Sequence, residues 1–171
     1  MAPRASPLAR YLLAAYLLLV VYGSLYPLTG WRDQGLSPFA FLGGPPPHYF
    51  TWFDVATNVA AYVPLGLLGV LAIAPRVTGA AAALLAIAGA TAVSLLLEAT
   101  QSYLPDRIPS NADLAANVVG AAIGALTGVA VSRHLAAEAG LRRLRERLFG
   151  AGHAVDLGLV LIGLWLFTQL N

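Results

Sequence analysis

Two pairs of an acid and an amide stand at helical spacing in this sequence: Asp54 with Asn58, and Asp113 with Asn117, each four residues apart. Residues so spaced share one face of a helix, so the acid and the amide of each pair point the same way. Tyr62 continues the first stripe after another four residues, and Glu98 with Gln101, three apart, makes a third pair. Arg107 lies between Gln101 and Asp113. A carboxylate beside an arginine can act as a general base while the guanidinium holds a phosphate through two parallel hydrogen bonds. Without turnover, the same groups bind a polar headgroup.

The elements that must position them follow from composition. Of 171 residues, 58% are hydrophobic and 11% charged, against about 25% charged in an ordinary soluble domain. About 20 apolar residues in a helix cross the hydrocarbon core of a bilayer. Five runs approach that length, at 11–28, 55–74, 77–97, 114–132 and 157–170, the last being short. The fold class is therefore all-α: a polytopic integral membrane bundle of about five transmembrane helices. The first run is read as a span and not a signal peptide, because it is long for one and no small-x-small cleavage site follows it.

Arginine placement sets the expected orientation, since cytoplasmic connections hold the excess of positive charge. Arg4, Arg10, Arg76, Arg133, Arg142, Arg143, Arg145 and Arg147 fall on one side, and only Arg32 and Arg107 on the other. The N-terminus is thus expected in the cytoplasm and the connections 29–53 and 98–112 outside. Residues 1–132 form a four-helix membrane domain, 133–156 a basic cytoplasmic connection, and 157–171 the start of a fifth span. Within the connection, Leu141, Leu144 and Leu148 make one stripe among four arginines over 136–149. That pattern predicts a helix lying on an anionic membrane surface.

The acid and amide pairs belong to a longer repeat. Asp54-Val-Ala-Thr-Asn58-Val and Asp113-Leu-Ala-Ala-Asn117-Val are 59 residues apart, and Ser24-Leu-Tyr-Pro27 and Ser102-Tyr-Leu-Pro105 punctuate the ends of the first and third runs. Two tandem hairpins related by an axis along the membrane normal would produce this pattern. Asp54 and Asp113 stand where helix N-caps are expected. Gly120, Gly124 and Gly128 form a small-residue stripe on the fourth run, with Gly66 and Gly69 as a weaker counterpart on the second, and such stripes let helix backbones approach closely. Pro64 should bend the second helix.

Glu98 follows an unbroken apolar run, and a carboxylate at the centre of a bilayer costs about 2.5 to 3.5 kcal/mol on the insertion scale. Its expected partner is Arg107, the arginine of that loop. Glu98, Gln101, Arg107, Asp113, Asn117, Asp54 and Asn58 are the candidate ligand-binding residues, converging on one external pocket. No cofactor and no metal site are expected. His48, His134 and His153 lie in separate segments, the chain has no Cys, and neither a phosphate-binding glycine loop nor a G-x-S-x-G elbow occurs. Nucleic acid is not an expected partner; the lipid bilayer is.

The order Asp54-x-x-x-Asn58-x-x-x-Tyr62-x-Pro64-Leu65-Gly66, Glu98-x-x-Gln101, Arg107, Asp113-x-x-x-Asn117-x-x-Gly120-x-x-x-Gly124 resembles the VanZ-like family of small bacterial membrane proteins over about residues 11–132. The family is named for an accessory protein that raises resistance to the glycopeptide teicoplanin. The resemblance implies a bacterial plasma membrane location and a role in the cell envelope. It also implies that the seven candidate residues above are the family's recurring polar positions. Two departures accompany it: some members open the second span with a basic residue and a His, and 165–171 looks like the opening of an extra half found in longer relatives.

Three functions fit these observations. The first is an accessory protein that binds a lipid-linked or glycopeptide headgroup in its external pocket without turnover. The second is an intramembrane enzyme acting on a lipid-linked precursor, with Glu98 or Asp113 as base and Arg107 on the phosphate. The third is a small transporter or flippase subunit, which five spans would serve only as an oligomer.

Overall fold

The computed structural model describes residues 7–35, 37–45, 51–74, 76–137, 157, 158, 160, 161, 164 and 165. Four helices carry the fold: α1 (Pro7–Leu25), α2 (Trp52–Ile73), α3 (Gly79–Gln101) and α4 (Asn111–Ala137). All four are long and apolar enough to cross a membrane, and among the described residues there is no strand. The chain is a multi-pass membrane protein. The count is four helices where about five spans were expected. The six described positions of the fifth run are helical, while the remainder of that run and the amphipathic segment from 138 onward lie outside the described residues.

The side chains are sorted as lipid requires. Alanines such as Ala82, Ala83, Ala86, Ala90, Ala121 and Ala125 make up much of the core beside Leu65, Leu97 and Leu104, whereas Leu18, Leu84, Leu96 and Leu126 point outward, Leu126 being 67% exposed. Water would drive the leucines inward; in lipid, close packing of small side chains holds helices together.

The α2–α4 contact shows this most directly. A Cβ added to Gly120 would overlap the Val59 backbone, one on Gly124 would overlap Val63 and Leu67, and one on Gly66 would overlap Ala121 and Ala125. Residue numbers rise together along the two helices, so they run parallel, as a tandem repeat about an axis along the membrane normal demands. The weaker counterpart divides, since Gly69 packs on Ala86 of α3. The α1–α2 and α3–α4 connections consequently share one end of the bundle, called here the loop face.

Arginine and tyrosine pin α1 to the rest. Arg10 Nε donates to the Ala72 carbonyl near the end of α2 at 3.2 Å, and the Tyr16 hydroxyl donates to the Ala61 carbonyl at 2.9 Å. A cation at a helix C-terminus also complements the helix dipole. Between α1 and α3 an apolar groove of about 450 Å³ remains, lined in part by Leu13, Leu17, Leu85, Gly89 and Val93.

Helix starts at the loop face differ from expectation by one turn. Asp54 is not the N-cap of α2. Thr51 is, with its hydroxyl accepting the Asp54 amide at 3.1 Å while the Asp54 carboxylate accepts the Thr51 amide at 3.1 Å, a reciprocal capping box. In α4, Ser110 does the same work: its Oγ accepts the amides of Ala112 and Asp113 at 3.1 and 3.4 Å. Asp113 therefore sits in the first turn, as Asp54 does. Thr51→Ala should cost about 1 kcal/mol, read as a lower thermal midpoint with unchanged helix content.

Candidate functional site

At the loop face the ends of α2, α3 and α4 bring polar side chains together in steps of depth. Asp54 is exposed, Asn58 and Asp113 are half-buried, and Glu98 and Asn117 are each 5% exposed. Asn58 lies within hydrogen-bonding reach of the Asp113 carboxylate. One turn deeper, Asn117 Nδ2 donates to Ser94 Oγ at 2.9 Å, and the Tyr62 hydroxyl is within reach of the same Ser94. Asn117 Oδ1 is buried without a hydrogen-bond partner. A buried carbonyl left unpaired costs on the order of 1 to 3 kcal/mol.

Glu98 has a different partner from the one anticipated. Its carboxylate accepts the Ser110 backbone amide at 2.8 Å, and Ser110 in turn caps α4. The two capping arrangements thus diverge. In α2 the first-turn acid closes the box on its own helix; in α4 a glutamate from α3 takes the equivalent amide, and the first-turn Asp113 has Asn58 of α2 as its neighbour. Aligning α1 with α3 on their Ser-x-x-Pro ends puts Val20 opposite Glu98, so α1 offers no acid to α2.

Arg107 is accordingly not paired with Glu98. Its guanidinium donates to the carbonyls of Gly23 and Tyr26 at 3.2 and 3.0 Å, and Gln101 Nε2 donates to the Ser24 carbonyl at 2.9 Å. Two of the seven candidates therefore hold the end of α1. Asp113, Asn117, Glu98 and Asn58 form the polar cluster proper, with Asp54 at its rim.

A groove of about 370 Å³ runs between the two loop-face connections, lined in part by Gln34, Ser102, Arg107, Ser110 and Asn111, and Ser110 joins it to the cluster through Glu98. Gln34 Nε2 donates to the Ser102 carbonyl at 2.7 Å and Asn111 Nδ2 to the Gly44 carbonyl at 2.9 Å, closing the groove at its sides. Its size falls within the range of small-ligand sites, roughly 300 to 1,000 Å³. Among the described residues no group of three or more His, Cys, Asp or Glu is placed to hold a metal ion.

The stretch that builds the bundle and this cluster is also the stretch that a family profile recognises: the profile described as VanZ/LLP1 matches residues 11–132. The chain belongs to the VanZ/LLP1 family. Comparisons with curated proteins and with solved structures found no match. Within the VanZ/LLP1 match lie the whole polar cluster, both capping serine and threonine residues, and the glycine contact of α2 with α4.

Three participants in this VanZ/LLP1 site are not among the candidates read from sequence: Ser94, Ser110 and Thr51. Ser94 carries no signal of its own inside an alanine-rich run. Thr51 and Ser110 do, since each precedes an Asp by three residues and the two stand 59 apart, extending the internal repeat by one turn. Arg107→Ala should free the end of α1 without dismantling the cluster. The expected result is faster amide hydrogen exchange at 23–28 and a stability loss of about 1 kcal/mol, with Gln101 still holding Ser24.

Proposed function

We propose that this VanZ-like protein is a bacterial plasma-membrane accessory protein whose loop face is external and binds the polar headgroup of an envelope lipid or glycopeptide without turnover. The observation that carries this reading is a buried carboxylate and a buried amide, Glu98 and Asn117, at a helix end where Glu98 accepts the amide of Ser110, a residue lining a groove of about 370 Å³. Burying such groups at a membrane helix end is costly, and polar residues kept there commonly serve a ligand. The loop face bears Arg32 and Arg107 while the opposite side bears most of the arginines, which supports an external loop face and a cytoplasmic N-terminus. The enzyme reading needs Arg107 on a phosphate, whereas its Nη2 donates to the Gly23 and Tyr26 carbonyls at the end of α1.

The family's theme supplies the functional test. A sensitive bacterial host expressing the wild-type chain should show raised tolerance to teicoplanin, and Asp113→Asn and Glu98→Gln at equal membrane abundance should not. Equal tolerance for wild type and both variants would remove the cluster from that role, and unchanged susceptibility with all three would remove the role itself.

A further inference from the structure

We infer that the α2–α3–α4 cluster takes a primary ammonium group, presented by the headgroup of an aminolipid in the adjoining leaflet. The inference rests on the headgroup reading above and names the chemistry of the ligand. The buried atom of the cluster that lacks a partner, Asn117 Oδ1, is an acceptor, and so are the carboxylates of Glu98 and Asp113 beside it. Asn117 Oδ1 is buried with no donor, on the same face of α4 as Asp113 and one layer beneath Glu98 through its bond to Ser94. An ionised carboxyl group offers about four lone-pair positions. Glu98 is seen to accept one amide, from Ser110, and Asp113 has Asn58 within reach, so both retain acceptor capacity. The arginine closest to them in sequence, Arg107, directs its Nη2 to the end of α1 and is not seen to pair with either carboxylate. A group bearing several N–H donors and a positive charge meets all of these needs at once, which a phosphate or a neutral sugar hydroxyl does not. Hydrogen-bonded ammonium also suits acceptors spread over three helices better than a metal ion, for which no suitable group is found among the described residues.

The way in points to the lipid phase. The stepped exposure from Asp54 through Asn58 and Asp113 to Asn117 opens beside Trp52 and Phe53, which are 83% and 77% exposed. Large aromatic side chains at a span end mark the headgroup layer of a bilayer. An ammonium tethered to a lipid arrives at that depth already concentrated.

The test uses the full-length protein in detergent, exposed to phosphatidylethanolamine, phosphatidylcholine or phosphatidylglycerol of identical acyl chains, with bound lipid counted by native mass spectrometry. Phosphatidylcholine keeps the charge and phosphate but has no N–H; phosphatidylglycerol has no cation. Retention of phosphatidylethanolamine about tenfold above both is expected, a difference of about 1.4 kcal/mol. Asp113→Asn and Asn117→Leu should each erase that preference, the first keeping the half-buried side chain's size so that the fold is not at stake. Equal retention of the three lipids, lowered alike by both variants, would overturn the ammonium assignment and leave the headgroup reading standing. Retention insensitive to both variants would overturn the two together. Displacement of the lipid by ethanolamine at equal concentration would overturn the leaflet as the source.

Discussion

Gly124→Leu is expected to yield no monodisperse protein. The side chain would have to occupy the space of the Val63 and Leu67 backbone, and backbone atoms of a packed helix have nowhere to go. Even Gly124→Ala should cost about 1 to 3 kcal/mol, as overpacking does. The leucine should exceed about 4 kcal/mol by forcing α2 and α4 apart along their length. Size-exclusion profiles and thermal midpoints in one detergent measure both. Gly89→Ala is the matched control: nothing lies within 4 Å of its added Cβ, so stability should hold or rise by up to about 1 kcal/mol from better helix propensity. If the Gly124 and Gly89 variants behaved alike, the parallel α2–α4 contact would not be what holds the bundle.

The second large effect divides Glu98 into its two jobs. Glu98→Ala removes the acceptor of the buried Ser110 amide, and an unpaired buried donor costs about 1 to 3 kcal/mol. It should also loosen the first turn of α4, visible as faster hydrogen exchange at 110–114. Glu98→Gln keeps an oxygen for Ser110 and discards the charge, so its melting should match or exceed wild type while headgroup retention falls. A wild-type melting curve for Glu98→Ala would show that the Ser110 contact contributes nothing. A destabilised Glu98→Gln would show that the charge itself stabilises the fold.

The bundle was legible because apolar length is a one-dimensional signal. Four of the runs became α1 to α4, yet α2, α3 and α4 reach further toward the loop face than their apolar stretches, α2 beginning at Trp52, α3 continuing to Gln101 and α4 beginning at Asn111, while α1 ends earlier, at Leu25. Polar residues there remain helical because Thr51 and Ser110 cap the turns, and a scan for hydrophobicity stops short of them. The convergence of Asp113, Asn117, Glu98 and Asn58 followed from helical spacing and shared depth. The partners of Gln101 and Arg107 did not, since they are main-chain carbonyls of α1 and leave no mark on residue type. Opposite charges suggested Glu98 with Arg107; a capping amide and a helix end each offered a nearer partner.

The reach of the α1 contacts sets an order of events during synthesis. Arg107 meets α1 across 81 and 84 residues of chain and Gln101 across 77, while Glu98 meets Ser110 across only 12. α1 thus waits through two further membrane crossings before its far end is clamped, whereas the second hairpin can latch itself as soon as it emerges. In that interval α1 grips α2 through Tyr16, Arg10 and apolar packing, without the clamp at its far end.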